Sequence, residues 1–206
     1  MNIDKLYKKG LYLTGFLVSY NILEAVASLV FGSLAGSVAL VGFGLDSITE
    51  VLSNSLVIWR LNQHGKISAE AEERLERRVV KVIAITFFVL GAYILYESVT
   101  KLIFAEIPAP TLPGIIIAAL SVIIMPLFAL QTRKIGKQIG SKALVADSTE
   151  TIACTFLSLA LLLGLGANYL FGFWQADPIV GLIIVAFLFR EGWENWQEAS
   201  EAEPES

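Results

Sequence analysis

GSVALVGFGLDSITEVLSNSLVIWR, residues Gly36–Arg60, joins two properties that seldom share one stretch. Its length and apolar content suit a helix crossing the ~30 Å hydrocarbon core of a bilayer, which takes roughly 20 residues. Yet Asp46 and Glu50 stand in its middle, beside Thr49, Ser53 and Asn54. Trp59 and Arg60 close it, an aromatic and a cation of the kind that favour a membrane interface. The stretch reads as a membrane span whose polar face is turned from lipid. The same window, moved outward, marks spans at 11–31, 79–100, 113–131, 143–166 and 177–196, with this one at 37–59. The expected fold is all-α, a polytopic membrane protein with a six-transmembrane-helix bundle over residues 1–199. An acidic, solvated tail is expected at 200–206.

Composition points the same way. Of 206 residues, 55% are hydrophobic and 17% charged, where a soluble domain carries about 25% charged residues. A lone cysteine, Cys154, excludes a disulfide scaffold. The net charge of −4 offers no basic stripe for nucleic acid. Fourteen of the 15 Lys and Arg residues fall on one side of the six spans, against Lys101 alone on the other. Positive charge stays on the cytoplasmic face, so both termini are expected there. A bacterial inner membrane is the expected host, rather than an organelle. The first apolar stretch has full span length and reads as a span rather than a signal peptide. The run SAEAEERLERR, Ser68–Arg78, alternates acids and bases and reads as a solvated extension of the third helix held by i,i+4 pairs. His64 reads as a loop histidine exposed to water.

Function is sought where the membrane rule is broken. Among the carboxylates within the spans are Glu24, Asp46, Glu50, Asp147 and Glu150. Five lipid-exposed acids would cost roughly 12–17 kcal/mol on insertion scales, so they are expected to face the bundle interior. Asp46 and Glu50 are four residues apart and share one helix face; Asp147, Glu150 and Cys154 follow at i, i+3 and i+7. Two such faces can converge on a divalent cation. Oxygen ligands suit Zn²⁺, Mn²⁺ and Mg²⁺, and a Cys154 thiolate would turn the preference toward Zn²⁺ or Cd²⁺. Ser47, Thr49, Ser53, Asn54, Ser148, Thr149 and Thr151 are candidate hydrogen-bond donors to these ligands. Acids can also pair across helices for packing alone, and a buried Cys can be a small hydrophobe. Glu24, with Asn21 one turn before it, reads either as a packing hydrogen bond or as a proton carrier.

At this point the residues resemble those of the cation diffusion facilitators. Gly36–Arg60 is similar to that family's second span and SKALVADSTETIACTFLSLALLLG (Ser141–Gly164) to its fifth. ERRVVKVIAITFFVLGAYILYESVTKLI (Glu76–Ile103) is similar to the third, and ADPIVGLIIVAFLFREGWENWQEA (Ala176–Ala199) to the sixth. The Gly36-Ser37 turn and the Asp177-Pro178 start are typical of it. Within the family the chain looks like the short, vesicle-type zinc transporter branch without a soluble metal-sensing domain. The resemblance implies a proton-coupled divalent-metal antiporter, with metal ligands at Asp46, Glu50, Glu150 and Cys154. Asp147, Glu24 and Asn21 become additional metal or proton-coupling candidates. The site departs from the family's pattern in lacking histidine and in having Cys where Asp is usual.

The expected partners are a divalent metal ion, protons and the lipid bilayer, with a homodimer formed through transmembrane helices. No cofactor is expected, since Zn²⁺ is cargo. Metal ligands must be deprotonated, so a cation entering the site expels protons, and protons entering from outside displace the metal. Two other readings stand beside this one: a Mn²⁺ or Fe²⁺ carrier of the same mechanism, and a non-transporting membrane scaffold. An enzyme is not expected, because no span carries a Ser–His or HExxH arrangement. DSITE (Asp46–Glu50) and DSTE (Asp147–Glu150) hint at duplicated chemistry, too briefly to establish a repeat.

Overall fold

The computed structural model describes residues 3–62, 68–109 and 111–201. Within its helices, the side chains of residues 3, 4, 69–80, 82, 83, 86, 142, 143, 146, 149, 150, 153, 198, 199 and 201 lie outside the description. The described chain forms six helices: α1 (Ile3–Ala35), α2 (Val38–Asn62), α3 (Ala69–Phe104), α4 (Leu112–Ile139), α5 (Lys142–Phe171) and α6 (Ala176–Glu201). Five of the six extend past their predicted spans at both ends, while α2 starts one residue inside its own, after the Gly36-Ser37 turn, and runs past it only toward Asn62. α3 starts at Ala69, so the charged run is helical as expected, while its ion pairs lie outside the described side chains. His64 and the tail from residue 202 lie outside the described residues.

Stretches of α1, α3, α4 and α5 are long and apolar enough to cross a membrane on composition alone. α2 is made less apolar by Asp46, Glu50 and Asn54, and α6 by Asp177, Arg190 and Glu191. Large apolar side chains such as Leu23, Leu34, Ile103, Ile123, Phe156 and Leu163 point outward. With no water to satisfy a lipid-facing backbone, helices that bond internally are one of the two forms a spanning chain can take. The chain is an integral membrane protein.

Three pairings organise the bundle: α1 with α2, α4 with α5, and α3 with α6. α1 also packs on α4, and α2 touches α3, α5 and α6. Short connections make successive helices antiparallel. The start of α1, the end of α2, the start of α3, the α4–α5 turn and the end of α6 therefore share one end, here the basic end. The α1–α2, α3–α4 and α5–α6 connections share the opposite end.

The α1–α2 and α4–α5 hairpins share a turn motif. GSLAGSVALV (Gly32–Val41) and GKQIGSKALV (Gly136–Val145) match as GxxxGSxALV at a shift of 104 residues. Gly36 has φ 65° and Gly140 has φ 70°, a left-handed conformation that glycine adopts without a Cβ penalty. Ser37 N donates to Gly32 O and Ser141 N to Gly136 O, each at 2.9 Å. The next helix is capped the same way: Leu40 N donates to Ser37 Oγ at 3.1 Å, and Leu144 N to Ser141 Oγ at 3.3 Å. The hairpins lie at opposite ends of the bundle and run in opposite senses, so the repeat is inverted. At this shift Asp46 corresponds to Glu150 and Glu50 to Cys154. DSITE and DSTE are three residues out of register with it.

Candidate metal-transport site

The helices bury a polar layer between two apolar clusters. Toward the opposite end Leu40, Phe43, Ile94, Leu161, Leu165 and Ile184 belong to one cluster. At the basic end Leu6, Leu13, Val57, Leu61, Ile135 and Leu144 form the other. Between them lie Asn21 and Glu24 of α1, Asp46, Glu50 and Asn54 of α2, Ser121 of α4, and Asp147 and Cys154 of α5, all buried. The acids are held off lipid, as the insertion cost requires.

Asp46 and Cys154 meet. The Cys154 thiol donates to Asp46 Oδ2 at 3.2 Å, with both side chains no more than 2% exposed. This contact joins α2 to α5 across the inverted repeat. Glu50 lies one turn nearer the basic end on α2 and is also buried. Of Glu150 the structure describes only its place in α5; its side chain lies outside the description. Among the described residues, no three of His, Cys, Asp and Glu converge as an ion would require. Two of the four expected ligands are thus assembled, a third stands one turn away, and the fourth is undescribed.

Glu24 joins three helices rather than approaching Cys154. Its Oε1 accepts from Tyr20 Oη at 3.2 Å and from Ser121 Oγ, and its Oε2 accepts from Ser47 Oγ at 3.0 Å. Tyr20 Oη and Ser121 Oγ lie 2.8 Å apart. The carboxylate therefore ties α1 to α2 and α4. Neither Tyr20 nor Ser121 was singled out in the sequence. An isolated serine in the apolar run IIIAALSVIIM (Ile115–Met125) is a weak signal.

The proposed donors mostly look elsewhere. Thr49 donates to Asp46 O at 2.7 Å, Ser148 to Val145 O at 2.6 Å, and Thr151 to Asp147 O at 3.1 Å. Asn54 Nδ2 donates to Glu50 O at 2.8 Å. A hydroxyl has one proton, and here the carbonyl of the same helix takes it. These residues make α2 and α5 polar without donating to the ligand side chains. Asn21 Oδ1, Asn54 Oδ1 and Asp147 Oδ2 are buried with no hydrogen-bond partner among the described residues.

At the opposite end the two segments noted as typical come together. Asp177, fully buried, accepts from Ser37 Oγ and from Val38 N, the latter at 3.0 Å. It thereby caps α2 from α6 and favours the positive end of that helix dipole. Lys101 Nζ donates to Gly36 O in the same turn.

A thiol and a carboxylate in contact can both turn to one cation once the thiol proton leaves, giving Zn²⁺ the sulfur and oxygen ligands it accepts. Comparison with known proteins bears on this arrangement. Residues 16–201 match the cation efflux transmembrane domain. The chain is 23% identical to Transmembrane protein 163 of Xenopus laevis over 90% of this chain and 65% of that protein. It is 23% identical to the manganese efflux system protein MneS of Bacillus subtilis, over 91% of this chain and 66% of that one. It is 30% identical to a probable cation efflux system protein of Mycobacterium tuberculosis, over 80% and 50%. The chain thus spans between half and two-thirds of these relatives' length. A match covering all but the first turns of α1 and the tail assigns the fold, and the chain belongs to the cation efflux transmembrane domain family.

Proposed function

We propose that this protein exports a divalent transition-metal cation from the cytoplasm in exchange for protons, with Zn²⁺ as its cargo. Asp46, Glu50, Glu150 and Cys154 bind the ion, and no catalytic step is involved. The observation that carries this reading is the buried Asp46–Cys154 contact, set in a polar layer closed at both ends by apolar clusters. A hydrated ion cannot cross either cluster, so transport proceeds by opening one end at a time. Protons released by the thiol and carboxylates as metal binds supply the counter-flux. With no histidine in the site, the exchange runs on groups other than the usual physiological-pH switch. The host is a bacterial inner membrane, the basic end faces the cytoplasm, and two copies pair through their transmembrane helices.

A Mn²⁺ cargo is the second reading. It is favoured by the oxygen-rich layer and by the manganese efflux for which the Bacillus subtilis relative is named. Uptake of Zn²⁺, Cd²⁺ and Mn²⁺ into proteoliposomes, with and without an imposed pH gradient, tests both. Gradient-dependent Zn²⁺ flux lost in Asp46→Asn supports the proposal, and a preference for Mn²⁺ replaces its cargo. No flux of any metal from folded protein returns the acids to a scaffold role.

A further inference from the structure

The inverted repeat exposes an asymmetry in the polar layer. Asp147 of α5 corresponds to Phe43 of α2, an apolar side chain in the cluster toward the opposite end. Asn54 corresponds to Ser158, whose hydroxyl is engaged by Cys154 O at 2.9 Å and by Met125 Sδ at 3.8 Å. Asp147 Oδ2 and Asn54 Oδ1, by contrast, lack any hydrogen-bond partner among the described residues, although the side chains are only 3% and 1% exposed. Leaving a buried oxygen unmatched is costly, more so for a carboxylate. Two such oxygens on the basic side of the repeat, and satisfied or apolar counterparts on the other, call for a ligand.

They also sit at one level. α2 and α5 are antiparallel neighbours joined at two places: Asp46 meets Cys154, and Val57 and Leu61 share the basic-end cluster with Leu144. Asn54 lies eight residues beyond Asp46 and Asp147 seven residues before Cys154. A rise of about 1.5 Å per residue therefore carries both toward the basic end by similar amounts, roughly 12 and 10 Å. Each is then one turn above the apolar cluster, Asn54 above Val57 and Asp147 above Leu144.

We propose that Asn54 Oδ1 and Asp147 Oδ2 form a second, weaker cation site, a staging post between the basic-end cluster and the Asp46–Cys154 pair. Its ligands are all oxygen, which suits a hard or borderline divalent ion that keeps part of its water shell. Glu50, midway along α2, lies on the path between the two levels. An ion passing the apolar cluster is held there first. It then moves about 10 Å to the thiolate site, where softer ions are favoured. The staging post rests on the transport reading given above, and its test separates the two.

The experiment is equilibrium Mn²⁺ binding to the full chain in nanodiscs, followed by the paramagnetic resonance signal of free Mn²⁺. A parallel Cd²⁺ titration reports the Cys154 site through thiolate-to-cadmium absorption. Wild type should hold two Mn²⁺ per chain. Asp147→Asn and the near-isosteric Asn54→Leu should each hold one and keep the Cd²⁺ band, which also shows the variant folded. Their transport KM should rise about tenfold with little change in kcat. Asp46→Asn should keep the staging ion and lose the Cd²⁺ band. Two Mn²⁺ still bound by Asp147→Asn overturns the staging site. So does a single wild-type ion that only Asp46→Asn removes, while leaving the transport reading intact. No Mn²⁺ and no Cd²⁺ band in wild type overturns both.

Discussion

The α1–α2 and α4–α5 hairpins share a turn motif, a left-handed glycine and a serine cap, yet their surroundings differ. At the opposite end the α1–α2 turn is laced into the rest of the chain. Asp177 of α6 holds Ser37 and Val38, Lys101 of α3 holds Gly36 O, and Ala109 N donates to Ala35 O at 2.8 Å. Asn168 of α5 adds a bond to Pro108 O at 3.2 Å. At the basic end the α4–α5 turn carries the matching capping bonds, from Ser141 N to Gly136 O and from Leu144 N to Ser141 Oγ, and a Cβ at Gly140 would meet nothing within 4 Å. That end is held by apolar packing of Leu6, Leu13, Val57, Leu61, Ile135 and Leu144. Directional hydrogen bonds fix a geometry, whereas apolar contact is non-directional and tolerates sliding. The comparison assigns the firmer end to the α3–α6 clamp and the looser one to the basic side.

The largest effect that could break this comparison is at Asp177. Asp177→Ala leaves the Ser37 hydroxyl and the Val38 N–H without their buried acceptor, a loss of about 2–5 kcal/mol. Ser141→Ala at the other turn removes one cap, worth about 1 kcal/mol. Denaturant unfolding of both variants in one detergent reads the difference. Equal losses would mean the opposite end is no more firmly held than the basic one. Next comes Glu24, whose counterpart in the other hairpin is Phe128, stacked on Phe16 with centroids 4.3 Å apart. α1 and α4 are thus joined by a carboxylate hub at one level and by rings at another. Glu24→Gln should cost about 1–3 kcal/mol and keep flux that depends on the pH gradient. Flux that persists but no longer responds to the gradient would make Glu24 a proton carrier instead of a strut.

Much of this was legible in the sequence, for physical reasons. Six apolar stretches and the one-sided placement of lysine and arginine announce a bundle, because the bilayer sets span length and lipid excludes unpaired backbone. Asp46 could be grouped with Glu50, and Cys154 with Asp147 and Glu150, because i,i+4 and i,i+7 spacing puts residues on one helix face. What spacing could not supply was which helices touch and at what height. The Asp46–Cys154 contact, the reach of Glu24 to Ser121 and the bond from Asp177 to Ser37 link residues 97 to 140 positions apart. Thr49, Ser148 and Thr151 give their protons to carbonyls of their own helix, a competition that residue type alone does not reveal. The turn repeat is inconspicuous because its matching residues are the small ones around the turns rather than the acids.

Those small residues give the finest test of the comparison. A Cβ at Gly32 would lie 2.9 Å from Val41 N, and one at Gly136 would lie 3.1 Å from Val145 N. Both neighbours are backbone and cannot turn aside, so each alanine forces the hairpin apart, at about 1–3 kcal/mol. The distances alone place Gly32→Ala only slightly above Gly136→Ala. The surroundings should widen that gap: α2 is pinned by Asp177 and has nowhere to move, while α5 can relax at the basic end. Thermal unfolding of the two alanine variants measures the gap, and combining Gly32→Ala with Asp177→Ala locates its source. Non-additive losses in the double variant, smaller than the sum of the single ones, would show that the α6 clamp makes the α1–α2 approach unforgiving. Simple additivity would assign the difference to the 0.2 Å of closer contact and leave the two ends of the bundle equally able to yield.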